Sequence, residues 1–143
     1  MSKEVTTNFS TIAWGASTLE RGAVSVRLAW SPTDPLSVDM GISLREDPEI
    51  VWGIGRELLA EGLNSSDGVG YTDVKIRRTS PYVVMVMLHS PEGTCHIKVP
   101  AAILDSFLKR VERELPLGSS EEALILTHAV EAFLAGLESE EQS

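Results

Sequence analysis

The segment VDMGISLREDPEIVWGIGRELLAEGL, residues 38–63, decides the fold, because residues 83–108, VVMVMLHSPEGTCHIKVPAAILDSFL, repeat its pattern 45 residues later. Each segment predicts a strand with alternating apolar residues, a four-residue turn, a second strand and a helix. The alternating residues are Val38, Met40 and Ile42 in the first segment and Val83, Met85 and Met87 in the second. Few residues are identical, so the agreement is one of pattern. Two such sheet-plus-helix units can pack face to face around one core.

Further strands extend this pattern in both directions. Strands are predicted at residues 23–30 and 71–78, where apolar and polar residues alternate. The run 82–90 is the most apolar strand and is predicted to be covered on both faces. Gly62 follows a short helical stretch and suits the left-handed residue that ends a helix.

Two longer helical patterns follow the second segment. The first begins near Pro100, buries a stripe that includes Leu104, Phe107 and Val111, and ends before Pro116. The second begins at Ser119 with a capping-box pattern. Its apolar stripe is Ala123, Leu126, Val130, Phe133 and Leu137. The predicted fold class is therefore α+β, with two antiparallel sheet units in pseudo-repeat, three helices and one domain over residues 1–143, whose acidic helix and tail begin at about 119.

The formal net charge of the 143 residues is −9, and its distribution along the chain is uneven. Residues 1–115 contain 15 acidic and all 12 basic residues, whereas residues 116–143 contain six acidic residues and no basic one. Because an acidic chain repels phosphate backbones, this balance argues against nucleic acid as the partner. The N-terminus lacks the apolar stretch of a signal peptide, and the single cysteine, Cys95, excludes an intramolecular disulfide. These features predict a cytoplasmic protein.

The candidate catalytic and metal-ligating residues form no convincing site. Cys95 and His96 are adjacent on a predicted strand, so their side chains point to opposite faces, whereas His89 is predicted to lie roughly across the hairpin from Cys95. The chain has no C-x-x-C and no H-E-x-x-H motif. Gly53-Ile54-Gly55 lacks the further glycine and lysine of a phosphate-binding loop. We therefore predict a protein that is not an enzyme, with no catalytic residue, metal or cofactor.

A basic patch supports the alternative function. Lys75, Arg77 and Arg78 lie on one predicted strand close to Tyr71, and strands with basic and aromatic residues bind single-stranded nucleic acid by charge and stacking. The opposing interpretation is the solvated face of an edge strand in an acidic chain. The alternative is therefore a single-stranded nucleic-acid-binding protein that uses Tyr71, Lys75, Arg77 and Arg78.

Two places are predicted to bind a protein partner. One is the exposed side of the segment 56–63, represented by Arg56, Glu57 and Glu61, and the other is the corner between the last two helices, represented by Pro116 and Gly118. Each place also has a purely structural explanation. The first would be only a capped short helix, and the second only a turn between two helices. The last helix is predicted to dock on its own domain, with exchange onto a partner as the alternative.

Several stretches resemble the SsgA-like proteins, regulators of sporulation-specific cell division in filamentous actinobacteria, and within them the SsgB branch. The match covers about residues 20–120, and its specific parts are Arg-Glu-Leu-Leu-Ala-Glu-Gly-Leu at 56–63 and Phe-Leu-Lys-Arg at 107–110. Asp34-Pro35-Leu36-Ser37-Val38 and Ser90-Pro91-Glu92-Gly93 add to it.

The resemblance implies a non-enzymatic function and a fold. SsgB-like proteins recruit the tubulin-like protein FtsZ to future septum sites, promote its polymerisation and work with an SsgA-like partner. The implied fold is whirly-like, assembled as a homo-oligomer that we expect to be a trimer. The implied location is the division septum, with membrane association only indirect, through partners. Because fold does not carry function, the nucleic-acid binding of whirly proteins does not follow from the likeness.

Overall fold

The computed structural model describes residues 3–15, 21–44, 47–91, 93–118, 126–128 and 130–136. Its elements in chain order are β1 (Val5–Gly15), β2 (Arg21–Ser31), β3 (Asp34–Ser43), β4 (Ile50–Gly55), α1 (Arg56–Leu63), β5 (Val69–Gly70), β6 (Val74–Arg78), β7 (Val83–Ser90), β8 (Gly93–Pro100) and α2 (Ala101–Glu114). Residues 126–128 and 130–136 are also helical and form the C-terminal helix. The predicted cap of that helix, Ser119 to Glu122, and the predicted tail lie outside the described residues.

All eight strands belong to one antiparallel sheet, in the order β4-β3-β2-β1-β8-β7-β6-β5. β1 joins the two predicted sheet units, because it pairs with β2 along its length and with β8 through Ala13, Trp14 and Gly15. The sequence did not predict β1. Between Val5 and Ala13, which are buried, most positions hold threonine, serine or asparagine, so the alternation of apolar and polar residues is weak.

The sheet curls around the helices. α1 directly follows β4 at one end of the strand order, yet Gly62 of α1 packs on Ile76 of β6, near the other end. A Cβ at position 62 would overlap the Ile76 side chain, so glycine is needed for this close approach. The prediction that Gly62 ends the helix in a left-handed conformation is wrong. The helix continues through Leu63, and Asn64 is its C-cap.

The 45-residue offset agrees with the structure in one half of each unit and fails in the other. The helices α1 and α2 begin at Arg56 and Ala101, and the paired positions Leu59 and Leu104 are both fully buried. In β7, however, Val84, Val86 and Leu88 are buried, whereas Met85 and Met87 are half-buried on the opposite face.

A difference in register explains the failure in β7. Val38 pairs with Ile54 in the first unit, but Val84, and not Val83, pairs with Val99 in the second. Because side chains alternate with period two, a slip of one residue moves every side chain to the other face. The prediction that β7 is covered by protein on both faces is therefore also wrong: its methionines face outward, away from the helices.

Candidate interaction surfaces

Arg56, predicted to lie on the exposed side of α1, is buried. Its side chain is only 2% exposed, and its Nη2 donates to Glu112 Oε2 of α2 at 2.7 Å. The guanidinium carbon also lies 6.0 Å from the centre of the Trp30 ring, close enough for a cation–π contact. The prediction of exposure is wrong because the side chain at position 56 lies on the inward face of α1, between Trp30 of β2 and Glu112 of α2. Arg56 holds α1, α2 and β2 together.

The Arg56–Glu112 pair links the two predicted partner-binding places. Glu112 Oε2 also accepts a hydrogen bond from the Leu117 backbone N–H at 3.2 Å. The corner at Pro116 and Gly118 is therefore held beside the first turn of α1. Pro116 and Gly118 are exposed, and Gly118 has a φ of +74°, a conformation that favours glycine.

Glu57 and Glu61 are exposed and lie four residues apart on α1, so they share one face of the helix. Together with Pro116 and Gly118 they form what we call the acidic corner surface: Glu57, Glu61, Pro116 and Gly118. The structure thus brings the two predicted places to the same end of the molecule, with Arg56 beneath them as a structural residue.

The predicted basic patch divides into two parts. Lys75 and Arg77 are exposed on the face of β6 that points away from the helices. Arg78 points elsewhere and donates to the backbone carbonyls of Leu63, Ser80 and Pro81. Its guanidinium therefore connects the loop before β7 to the end of α1 by hydrogen bonds. The prediction that Arg78 belongs to the basic patch is wrong. Tyr71 is exposed in the turn between β5 and β6.

Residues from three other strands complete a surface that the sequence did not reveal. Residues directly opposite each other on paired strands share a face, so Lys75, Met87 and His96 form one row across β6, β7 and β8, and Arg77, Met85 and Lys98 form the next row. Trp14 of β1 stacks on His96 with ring centres 5.5 Å apart, and Lys98 Nζ lies 5.7 Å from the Trp14 ring centre. We call this surface the outer groove: Trp14, Lys75, Arg77, Met85, Met87, His96 and Lys98.

The outer groove contains a shallow cavity of about 380 Å³. The methionines and His96 lie at its floor, Lys75 and Arg77 line one side, and residues 67–70 close it at the edge of the sheet. Asp67 is the one carboxylate among the described residues that line it. A signal for this surface existed in the alternation of β6 and β8, but only the strand order places the cations around the methionines.

The Cys95 region provides no catalytic arrangement among the described residues. Cys95 pairs with Leu88 across the hairpin, whereas His89 pairs with Thr94 and contacts its hydroxyl at 2.7 Å, so the predicted proximity of His89 and Cys95 is wrong. Burial raises the pKa of the Cys95 thiol, which makes it a poorer nucleophile. No three histidine, cysteine, aspartate or glutamate side chains gather as metal ligands in the described part of the chain.

The outer face of the other half-sheet carries an ion pair. Arg27 of β2 and Glu49 form a bidentate contact, with Nη2 to Oε1 at 2.7 Å and Nε to Oε2 at 3.1 Å. The hydrogen bonds from Arg27 lower the pKa of Glu49. The carboxylate lies over Gly41, where a Cβ would overlap it. A second shallow cavity of about 350 Å³ lies beside this salt bridge and is lined by it together with polar residues of β1 and β2.

Three of the described apolar residues of the C-terminal helix are exposed, whereas Leu126 is half-buried. Val130 is 57% exposed, Phe133 66% and Leu134 51%. The prediction that this helix docks on its own domain is therefore wrong for these described residues. Within the described residues, no helix is both long enough and apolar enough to span a bilayer.

Comparison with known proteins identifies the family. The family model described as "Streptomyces sporulation and cell division protein, SsgA" matches residues 24–120. The sporulation-specific cell division protein SsgB of Streptomyces coelicolor is 33% identical over 115 residues, which are 78% of this chain and 82% of that protein. SsgB of Salinispora tropica is 30% identical over 138 residues, which are 93% of each chain.

Solved structures agree with this assignment. A structure from work on SsgB mutations and longitudinal cell division during sporulation of Streptomyces coelicolor matches with a TM-score of 0.75 at 30% identity, covering 87% of this chain and 97% of that one. An SsgA-like sporulation-specific cell division protein from Thermobifida fusca has the same fold, with a TM-score of 0.77 over 94% and 96% of the two chains. The names of these relatives support a role in cell division during sporulation, as the resemblance implied. The chain belongs to the SsgA-like family of sporulation and cell division proteins.

Proposed function

We propose that this protein is a non-enzymatic regulator of sporulation-specific cell division that recruits FtsZ to future septum sites and promotes its polymerisation. The observation that carries the proposal is the family match over residues 24–120, together with SsgB relatives that cover most of the chain. The protein acts from the cytoplasm, is concentrated at the septum, and reaches the membrane only through its partners. A homo-oligomer, for which we propose a trimer, and an SsgA-like partner protein complete the assembly.

The acidic corner surface is the proposed contact with the partner. Glu57 and Glu61 present two carboxylates on one exposed helix face, and the Arg56–Glu112–Leu117 hydrogen bonds hold Pro116 and Gly118 beside that helix. Because these hydrogen bonds already fix the backbone at Leu117, binding there costs less conformational entropy of the backbone. Several copies in one oligomer would multiply weak contacts to a polymer and so concentrate filaments where the oligomer is located.

Sedimentation of FtsZ polymers with and without the protein tests this function. We expect the protein to pellet with the polymers and to increase the polymer mass, and we expect Glu57→Lys/Glu61→Lys to remove both effects. Asp47→Lys/Asp73→Lys is the matched control. It makes the same change in charge with two exposed aspartates at the end of the sheet away from the helices.

Comparing the wild type, the glutamate variant and the aspartate control shows whether the proposed function or the proposed contact surface is wrong. If the wild type neither pellets with FtsZ nor changes the polymer mass, the proposed function is wrong. If the wild type is active and the glutamate variant matches the control, the function stands and the acidic corner surface is not the contact. Circular dichroism of each variant verifies that α1 and the sheet remain folded.

The whirly-like likeness and its alternative function, single-stranded nucleic-acid binding, remain a prediction. Arg78 and Tyr71 contribute nothing to the outer groove, which weakens the predicted patch, although Lys98 adds a cation to it. The net charge of −9 opposes binding to a polyanion.

A further inference from the structure

The outer groove offers an apolar floor between two rows of polar and cationic side chains, an arrangement that suits an amphipathic α-helix. Adjacent strands lie about 4.8 Å apart, so the backbones of β6 and β8 are about 10 Å apart on either side of β7, and a helix of about 10–12 Å diameter lies over their side chains rather than between them. Met85 and Met87 lie along the centre line, with Lys75 and Arg77 on one side and His96 and Lys98 on the other. Methionine side chains are flexible and polarisable, and they commonly form the floor of grooves that bind amphipathic helices.

The C-terminal helix has the complementary chemistry. Val130, Phe133 and Leu134 are spaced i, i+3 and i+4, the spacing with which an amphipathic helix anchors in a groove, and all three are more than half exposed. The part of the chain that carries this helix, residues 116–143, has six acidic residues and no basic one. The groove offers the cations Lys75, Arg77 and Lys98, and Asp67 is the one carboxylate among the described residues that line its cavity. Apolar and electrostatic complementarity therefore point to the same pair of surfaces.

We propose that the C-terminal helix of one copy of this chain docks in the outer groove of a second copy. The helix does not occupy the groove of its own chain, because its three apolar side chains are exposed in this structure. Phe133 and its neighbours provide the buried apolar contact with Met85 and Met87, and the charges around the rim set the orientation of the helix.

This contact is head-to-tail, since each copy contributes one helix and one groove. Head-to-tail contacts close into a ring when the rotation between copies permits it, so the contact is compatible with the trimer of the proposed function. The inference rests on the self-association in that proposal and is independent of FtsZ recruitment.

Two variants of the full chain break opposite sides of the proposed contact. Phe133→Glu damages the helix, and Lys75→Glu/Arg77→Glu reverses the charge of the groove. All three residues are exposed, so the fold of the single chain is unaffected. In sedimentation velocity over a concentration series, we expect each variant to raise the concentration at half-association at least about ten-fold. Ile50→Glu, at an exposed apolar residue of β4, and Lys3→Glu/Arg113→Glu, at two exposed basic residues outside the groove, are the matched controls and are expected to behave as wild type.

Mixing the two variants gives the decisive result. The Phe133→Glu chain retains an intact groove, and the Lys75→Glu/Arg77→Glu chain retains an intact helix. A mixture is therefore expected to form pairs through one intact contact, at concentrations where neither variant associates alone, but no larger assembly. A contact between two identical surfaces would give no such complementation, because each pair would still contain one damaged copy, and that outcome would overturn the proposal.

The other possible results of the sedimentation experiments also test the proposed contact. A wild-type chain that stays monomeric overturns both this inference and the proposed self-association, whereas FtsZ co-sedimentation reports separately on recruitment. Self-association that both variants leave unchanged overturns the helix-in-groove contact alone. A labelled single-stranded oligonucleotide is the competitor. If Lys75→Glu/Arg77→Glu abolishes its binding and leaves self-association intact, the groove is a nucleic-acid surface and the proposal is wrong.

Discussion

The helix α2 and the C-terminal helix have the same apolar pattern and opposite environments. Leu104, Phe107 and Val111 of α2 are at most 1% exposed because the curled sheet and α1 cover them. In the C-terminal helix, Val130, Phe133 and Leu134 are each more than half exposed. An amphipathic pattern therefore determines which face of a helix must be buried, but it does not determine which surface that face packs against. In α2 the same chain provides it, and for the C-terminal helix we propose a second copy.

Replacing one phenylalanine in each helix is the strongest test of this comparison. Phe107→Ala leaves a cavity in the core, so we expect the free energy of unfolding to fall by about 3–5 kcal/mol. Phe133→Ala removes an exposed side chain, and we expect a change within about 0.5 kcal/mol. Urea unfolding at low protein concentration measures both. Equal losses would show that the C-terminal helix packs on its own domain.

Adding a methyl group at one glycine in each region sharpens the comparison. The Cβ of Gly62→Ala overlaps the buried Ile76, so we expect a loss of about 1–3 kcal/mol despite the better helix propensity of alanine. Gly136→Ala places its Cβ in open space within a helix, and we expect a gain of up to about 1 kcal/mol. The midpoint of thermal unfolding should therefore move in opposite directions. A stabilised Gly62→Ala would contradict the close packing of α1 on β6.

Substitutions of two acidic residues of α2 are expected to give the smallest difference in the free energy of unfolding. One of these residues has a buried partner and the other an exposed partner. Glu112→Gln weakens the contact with the buried Arg56 and with the Leu117 N–H, and we expect a loss of about 1–2 kcal/mol. Asp105→Asn breaks an exposed i, i+4 pair with Lys109, for which we expect less than about 0.5 kcal/mol. Chemical denaturation of both variants provides the measurement. Indistinguishable losses would mean that Arg56 does not depend on Glu112.

Local patterns predicted most of the elements correctly. The strands β2, β4, β7 and β8 and the helix α2 lie close to their predicted positions, because alternation and helical spacing are properties of neighbouring residues. β1 was missed because threonine and serine weaken its pattern. The inner face of β7 was predicted one residue out of phase, since in a strand this apolar on both faces the alternation does not identify the buried side.

The candidate surfaces were predicted less well, and for a different reason. Glu57, Glu61, Pro116 and Gly118 are exposed as predicted, but their role in partner binding stays a prediction. Arg56 was assigned to the surface, but it is buried against Glu112, a partner 56 residues away. Nothing local to either residue indicates that pair.

The sequence by itself determined the family, the α+β class, the separation of acidic charge into residues 116–143 and the faces that helices need to bury. Only the tertiary structure decided that β1 joins the two units, that Arg56 is internal, and that Trp14, Lys75 and Lys98 surround the methionines of β7. The physical reason is the range of the interactions. Periodicity, caps and charge runs depend on residues close in the chain, whereas strand order and the curl of the sheet depend on contacts such as Trp14 with His96, 82 residues apart.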